Sequence, residues 1–149
     1  MDDLVVINRP IQEVFAFVTD HANDKLWKPF VTESRKISTG SIGVGTRFEI
    51  VTVAWGYRRS GEVEILEYEP YSLFTYRGND KVFPFIGQLW FSTAPSGTHI
   101  RGHVEFQAQG LWKLLSPLPL MFFRSQSRQT FARLKKVLEE SEQQRSNKL

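Results

Sequence analysis

The chain has 149 residues and no cysteine. That excludes disulfides, thiolate metal sites and cysteine nucleophiles. No run approaches the ~18 consecutive apolar residues of a membrane-spanning helix. The start, Met1-Asp2-Asp3, is acidic and lacks the basic-then-apolar order of a signal peptide, so a cytoplasmic protein is expected. There is no Gly-x-Gly-x-x-Gly and no Gly-x-Ser-x-Gly, so neither a dinucleotide loop nor a nucleophile elbow is signalled. Gly43-Val44-Gly45 precedes a strand pattern and reads as turn chemistry. The three histidines show no metal-ligand spacing. His99 and His103 share one strand face but stand about 13 Å apart, too far for one ion. His21 follows a helix end and reads as an exposed loop residue. No metal and no cofactor is expected.

Acidic residues are missing from one stretch. Between Phe106 and Leu138 there is no Asp or Glu, against Lys113, Arg124, Arg128, Arg133, Lys135 and Lys136. This segment carries +6 of a net charge of +3, leaving −3 on the rest. So mild an overall charge argues against nucleic-acid binding. What is abundant is aromatic: 12 Phe, 4 Trp and 4 Tyr. The 41% hydrophobic and 23% charged fractions are those of a globular domain with a real core.

Leu4 to Ile7 reads as a strand, broken by Asn8-Arg9-Pro10. Pro10 suits a first helical turn, and Val14, Phe15, Phe17 and Val18 supply that helix's apolar side. Asn23 to Trp27 reads as a further helical turn. From Val31 to Gln109 the period changes to two, in six runs separated by short Gly-, Pro- or Asn-containing breaks, so successive strands are expected to pair antiparallel. Pro84 suggests a bulge or a sheet edge. In the last strand Ile100, Gly102, Val104, Phe106 and Ala108 share one face, and Arg101, His103, Glu105, Gln107 and Gln109 the other. A long helix is expected from about Leu120 to Ser141. Its stripe is Leu120, Phe123, Ser127, Thr130, Phe131, Leu134, Val137 and Leu138, with most basic residues off it. Residues 142–149 read as a polar tail to a single domain spanning 1–141. The implied fold class is α+β: a curved antiparallel sheet of about seven strands around a C-terminal helix, with two short helices after the first strand.

Several short motifs, in this order and spacing, resemble the START-like (SRPBCC) superfamily, in its polyketide cyclase/dehydrase and lipid-transport branch. They are Val6-Ile7-Asn8-Arg9-Pro10 with Val14-Phe15, then Phe17-Val18-Thr19-Asp20 and Trp27. Gly43-Val44-Gly45-Thr46-Arg47-Phe48 and Glu67-Tyr68-Glu69-Pro70 follow, then Gly97-Thr98, Gly110 and Leu134-Lys135-Lys136-Val137-Leu138-Glu139. The resemblance implies a helix-grip fold with a cavity between sheet and C-terminal helix. It implies no shared catalytic residue.

A cavity of that kind would be mostly apolar and aromatic. The expected ligand-binding residues are Trp27, Phe30, Phe48, Ile50, Phe74, Tyr76, Phe85, Leu89, Phe91, Phe106, Phe123, Ser127 and Thr130. Ser127 and Thr130 stand out as small polar side chains inside an apolar stripe; they would either bond a ligand or bond back to the helix. Further polar anchors are sought among Tyr76, Arg77, Glu49 and Arg47. Paired carboxylates at Glu62/Glu64 and Glu67/Glu69 read as a solvated face. Three functions stay open: binding or transport of a small hydrophobic ligand, a polyketide cyclase or dehydratase in the same cavity, and a membrane-surface module. The last rests on the apolar, basic-flanked segment 111–124, which could touch a membrane transiently. A homodimer is also left open.

Overall fold

The computed structural model describes residues 2–81, 84–107 and 117–148, with residue 2 and residues 117–126 described by backbone alone. The strands are β1 (Asp2–Ile7), β2 (Val31–Lys36), β3 (Arg47–Ala54), β4 (Tyr57–Glu69), β5 (Leu73–Gly78), β6 (Phe85–Ala94) and β7 (Gly97–Phe106). Helices α1 (Ile11–Thr19) and α2 (Asp24–Trp27) fill the β1–β2 connection, joined by a 3-10 turn at His21–Asn23. Helix α3 (Pro117–Ser146) closes the chain. All seven strands form one antiparallel sheet in the order β1-β7-β6-β5-β4-β3-β2. This is the α+β helix-grip arrangement expected from the sequence.

Short hairpin connections explain the consecutive pairing of β2 through β7. Register shifts between Val31 and Glu33 and between Ile65 and Glu67 bend the sheet. The concave face carries the apolar set. Ile7, Phe48, Ile65, Phe74 and Ile100 are fully buried there, joined by Val14, Phe15 and Val18 of α1 and Leu134 of α3. Pro84 is neither a bulge nor at a sheet edge. It stands one residue ahead of the interior strand β6, where its carbonyl accepts from the Gln107 N–H (2.8 Å) and its missing N–H costs only the return bond at the end of the ladder.

Helix α3 runs past Ser141 as far as Ser146. Its later turns are tied to the first strand and its exit. Glu142 and Glu13 both pair with the buried Arg9 guanidinium. Glu139 Oε1 accepts from the Asn8 N–H (2.9 Å), and Lys135 Nζ donates to the Val6 carbonyl (2.8 Å). Lys135 and Lys136 also pair with Glu139 and Glu140. Part of the helix's basic character is thus neutralised locally.

Candidate functional site

Where α3 crosses the concave face it does not fill it. A cavity of about 250 Å³ remains between sheet and helix, closed on one side by α2 and the segment after it. Of the residues singled out from the sequence, Trp27, Phe30, Tyr76, Leu89, Phe106, Ser127 and Thr130 stand in its wall. Val31, Val104, Gly102 and Phe131 complete an apolar surface. The strand alternation that selected Phe106 also contained Val104, and the helix stripe that selected Thr130 also contained Phe131.

Phe48, Ile50, Phe74 and Phe91 are not in the wall. They lie on the same concave face but in the packed core, under α1 and the turn that follows it. Phe15 packs edge-on against Phe91 at 5.0 Å, and the His21 ring lies 5.3 Å from Phe48 and 5.4 Å from Phe74. Phe85 is likewise outside the wall. Its ring lies against the backbone of Gly78, so close that a Cβ there would collide with it. Phe123 falls in α3, but its side chain is outside the described residues. The same holds for most of segment 111–124, of which only the helical backbone from Pro117 onward is described.

Arg47, Glu49 and Arg77 do not reach the cavity either. They pair on the outer face with Glu62 (3.6 Å), Arg35 (2.6 Å) and Glu64 (3.0 Å) respectively. Glu49 is held below the ordinary carboxylate range by its hydrogen bond to Arg35. Glu67 accepts from the Thr75 hydroxyl. Tyr76 does reach the wall, and two glycines make room around it. Its ring lies flat on Gly87, its cross-strand partner, where a Cβ would come within 2.5 Å of the ring. Gly102 similarly receives the ring of Phe131 from α3.

The polar groups beside the cavity were not all visible in sequence. His21 is buried, with 1% of its side chain exposed, contrary to its reading as an exposed loop residue. The 3-10 turn carries it under the sheet, 4.7 Å from the Tyr76 ring. Its Nδ1 shares a hydrogen bond of 2.7 Å with Asp24 Oδ2. Lys28 Nζ donates to the same oxygen, also at 2.7 Å. The ammonium lies 5.0 Å from the centroid of the Trp27 ring and 5.2 Å from that of Tyr76. Burial alone would raise the Asp24 pKa, but the charges of His21 and Lys28 outweigh it and hold the carboxyl below its ordinary range. Burial likewise opposes the charge on Lys28, and Asp24 outweighs it, so the lysine titrates above its ordinary value. Three buried polar atoms in this cluster have no hydrogen-bond partner: His21 Nε2, Asp24 Oδ1 and Trp27 Nε1. Lys28, with 21% of its side chain exposed, and Trp27 both stand in the cavity wall.

The cavity's other charged wall residue among those described is Asp3 on β1, which accepts a hydrogen bond from the Ser127 hydroxyl. No group of three or more His, Asp or Glu among the described residues is placed to hold a metal ion. No helix among them is long and apolar enough to cross a membrane.

Residues 2–139 match the family described as "Polyketide cyclase / dehydrase and lipid transport". A comparison with curated proteins found no match. Solved structures share the fold at low identity. TTHA0849 from Thermus thermophilus superposes with a TM-score of 0.78 at 16% identity, covering 95% of this chain and 97% of its own. Ara h 8.0201 is a second, with a TM-score of 0.71 at 16% identity, covering 94% of this chain and 97% of its own. A third is the di-domain ARO/CYC BexL from the BE-7585A biosynthetic pathway, with a TM-score of 0.75 at 17% identity. That match covers 93% of this chain but 46% of BexL, so this chain corresponds to about one of its two domains.

Proposed function

The chain belongs to the polyketide cyclase/dehydrase and lipid-transport family, and from that premise we propose that it binds a small hydrophobic ligand between the sheet and α3. The observation that carries this reading is the cavity itself. It is walled by Phe30, Leu89, Val104, Phe106 and Phe131, with few polar groups. At about 250 Å³ it lies just under the ~300–1,000 Å³ usual for small-molecule sites. A ligand of modest size, with a fused-ring or short acyl body, fits that volume. Gly87 and Gly102 support the reading, since each lets an aromatic wall residue lie close to the sheet and leaves the centre free.

Native mass spectrometry of the freshly purified protein tests it. The expected result is a non-covalent adduct that disappears under denaturing conditions, or one that forms after soaking with fused-ring aromatic and medium-chain acyl compounds. A spectrum of bare protein both before and after soaking would contradict the proposal.

A cyclase or dehydratase acting in the same cavity is favoured by one observation. Asp3 and Lys28 are ionisable and stand in the wall, where acid–base chemistry on a ligand would need them. Dehydration of a poly-β-carbonyl substrate mimic, catalysed by the native protein and abolished in Lys28→Met, would support it. Tight binding without turnover would leave a carrier.

A further inference from the structure

We infer that the corner of the cavity formed by Lys28 and Trp27 is a carboxylate-binding subsite, so the preferred ligand is an apolar carboxylic acid in its ionised form. This inference rests on the ligand-binding reading above and names the head group of that ligand.

Four observations carry it. First, the cluster is built on buried partners. Asp24 and His21 each have about 1–2% of their side chains exposed, and Asp24 fixes Lys28 at 2.7 Å. Second, the ammonium is caged. The Trp27 and Tyr76 rings stand 5.0 and 5.2 Å away, a distance at which aromatic rings attract a cation. A lysine held this way has lost most of its side-chain freedom before a ligand arrives, which lowers the cost of binding. Third, Asp24 takes one of the three N–H donors of Lys28, and both Lys28 and Trp27 form part of the wall. Fourth, Trp27 Nε1 is a buried donor with no partner. An unmet buried donor is costly and is normally answered by an acceptor.

The charged donors of Lys28 that Asp24 does not take suit the oxygens of a carboxylate, and the unmet N–H of Trp27 belongs to the adjoining wall residue. A neutral carbonyl would answer one donor without charge assistance. A carboxylate forms charge-assisted bonds, which are roughly twice as strong as neutral ones. The other charged wall residue supports the same orientation. Asp3 sits on β1, three strand steps from Tyr76 on β5, about 14 Å along the sheet at ordinary spacing. An acidic head is repelled there and drawn to Lys28, while the apolar body lies on Leu89, Val104 and Phe131.

Calorimetric titration with 2-naphthoate and its neutral near-isostere 2-naphthamide tests the inference. The native protein is expected to bind the acid at least about tenfold more tightly than the amide. Lys28→Met should reduce that preference to about twofold or less, and Lys28→Arg should restore most of it. Trp27→Phe keeps a ring but removes the N–H, and should cost about threefold of the preference. Should Lys28→Met fail to fold, Lys28→Gln replaces it, since an amide can still donate to Asp24. Equal affinity for both compounds in the native protein would overturn the subsite while leaving ligand binding intact. So would a preference that survives in Lys28→Met or Lys28→Gln. Binding of neither compound to the native protein would overturn the subsite and the ligand-binding reading together.

Discussion

The two faces of the sheet pair charges with opposite consequences. On the outer face Arg77 with Glu64 and Arg35 with Glu49 bridge neighbouring strands in contact with water, and Arg58 on β4 reaches across β3 to Glu33 on β2. On the inner side Asp24, His21 and Lys28 make a single cluster almost without solvent. Exposed pairs gain little, because water screens the charges and the long side chains must be ordered. Buried ones are desolvated at high cost, so each partner depends on the others. The outer pairs keep a wet face soluble and in register. The inner cluster keeps a charge where a ligand can use it.

The largest expected effect breaks the inner cluster. Asp24→Asn leaves Lys28 without a counter-ion and His21 Nδ1 without its carboxylate partner, and should cost about 3 kcal/mol of stability at neutral pH, read by denaturant unfolding. That is near the low end for a buried pair, because Lys28 keeps one edge in solvent. The pH dependence follows from the same group. The Asp24 carboxyl titrates below its ordinary range in the fold, so its stabilising contribution is full above that range. It is lost as pH falls through the folded value. The gap between native protein and Asp24→Asn should therefore narrow in acid, and a gap constant down to pH 2 would contradict the assignment.

A smaller effect comes from the inner wall. Gly87→Val places a side chain where the Tyr76 ring now lies. It should cost about 1–3 kcal/mol through overpacking, with the ring displaced toward the cavity. Thermal unfolding and ligand titration on one variant would sharpen the comparison, since no outer-face substitution should alter both. The smallest effect is expected outside. Glu33→Gln removes the exposed partner of Arg58 and should change stability by no more than about 0.5 kcal/mol. A loss as large as that of Asp24→Asn would erase the distinction between the faces.

The same division decides what could be read from the sequence. The period-two runs from Val31 onward disclosed the strands, because each strand of a one-sided sheet must alternate. The alternation of Ile100, Gly102, Val104 and Phe106 against Arg101, His103 and Glu105 named the inner face of β7 directly; Ile100 and Gly102 are buried, Arg101 and Glu105 exposed, and Val104 and Phe106 line the cavity. Alternation cannot tell which part of that face a helix will cover. Phe74 and Tyr76 are two residues apart on β5 and point the same way. Phe74 is fully buried in the core and Tyr76 stands in the cavity wall, although both rings pack against His21. The buried cluster was hidden for a related reason. Thr19-Asp20-His21-Ala22-Asn23-Asp24 is polar at every position but Ala22, the composition of an exposed connection. Its burial is imposed by β2 and by the aromatic rings of β3 and β5, far away in sequence. Lys28, between Trp27 and Pro29, carries no local signal of a wall position.

The measurement that bears most directly on the central claim compares the native protein with Val104→Trp. Val104 lies in the cavity wall, half buried and apart from the His21–Asp24–Lys28 cluster. An indole there fills the space between sheet and α3. Calorimetric titration with 2-naphthamide should show affinity lowered at least about tenfold, with thermal unfolding little changed. Undiminished affinity in a folded Val104→Trp protein would place the ligand elsewhere and contradict the account.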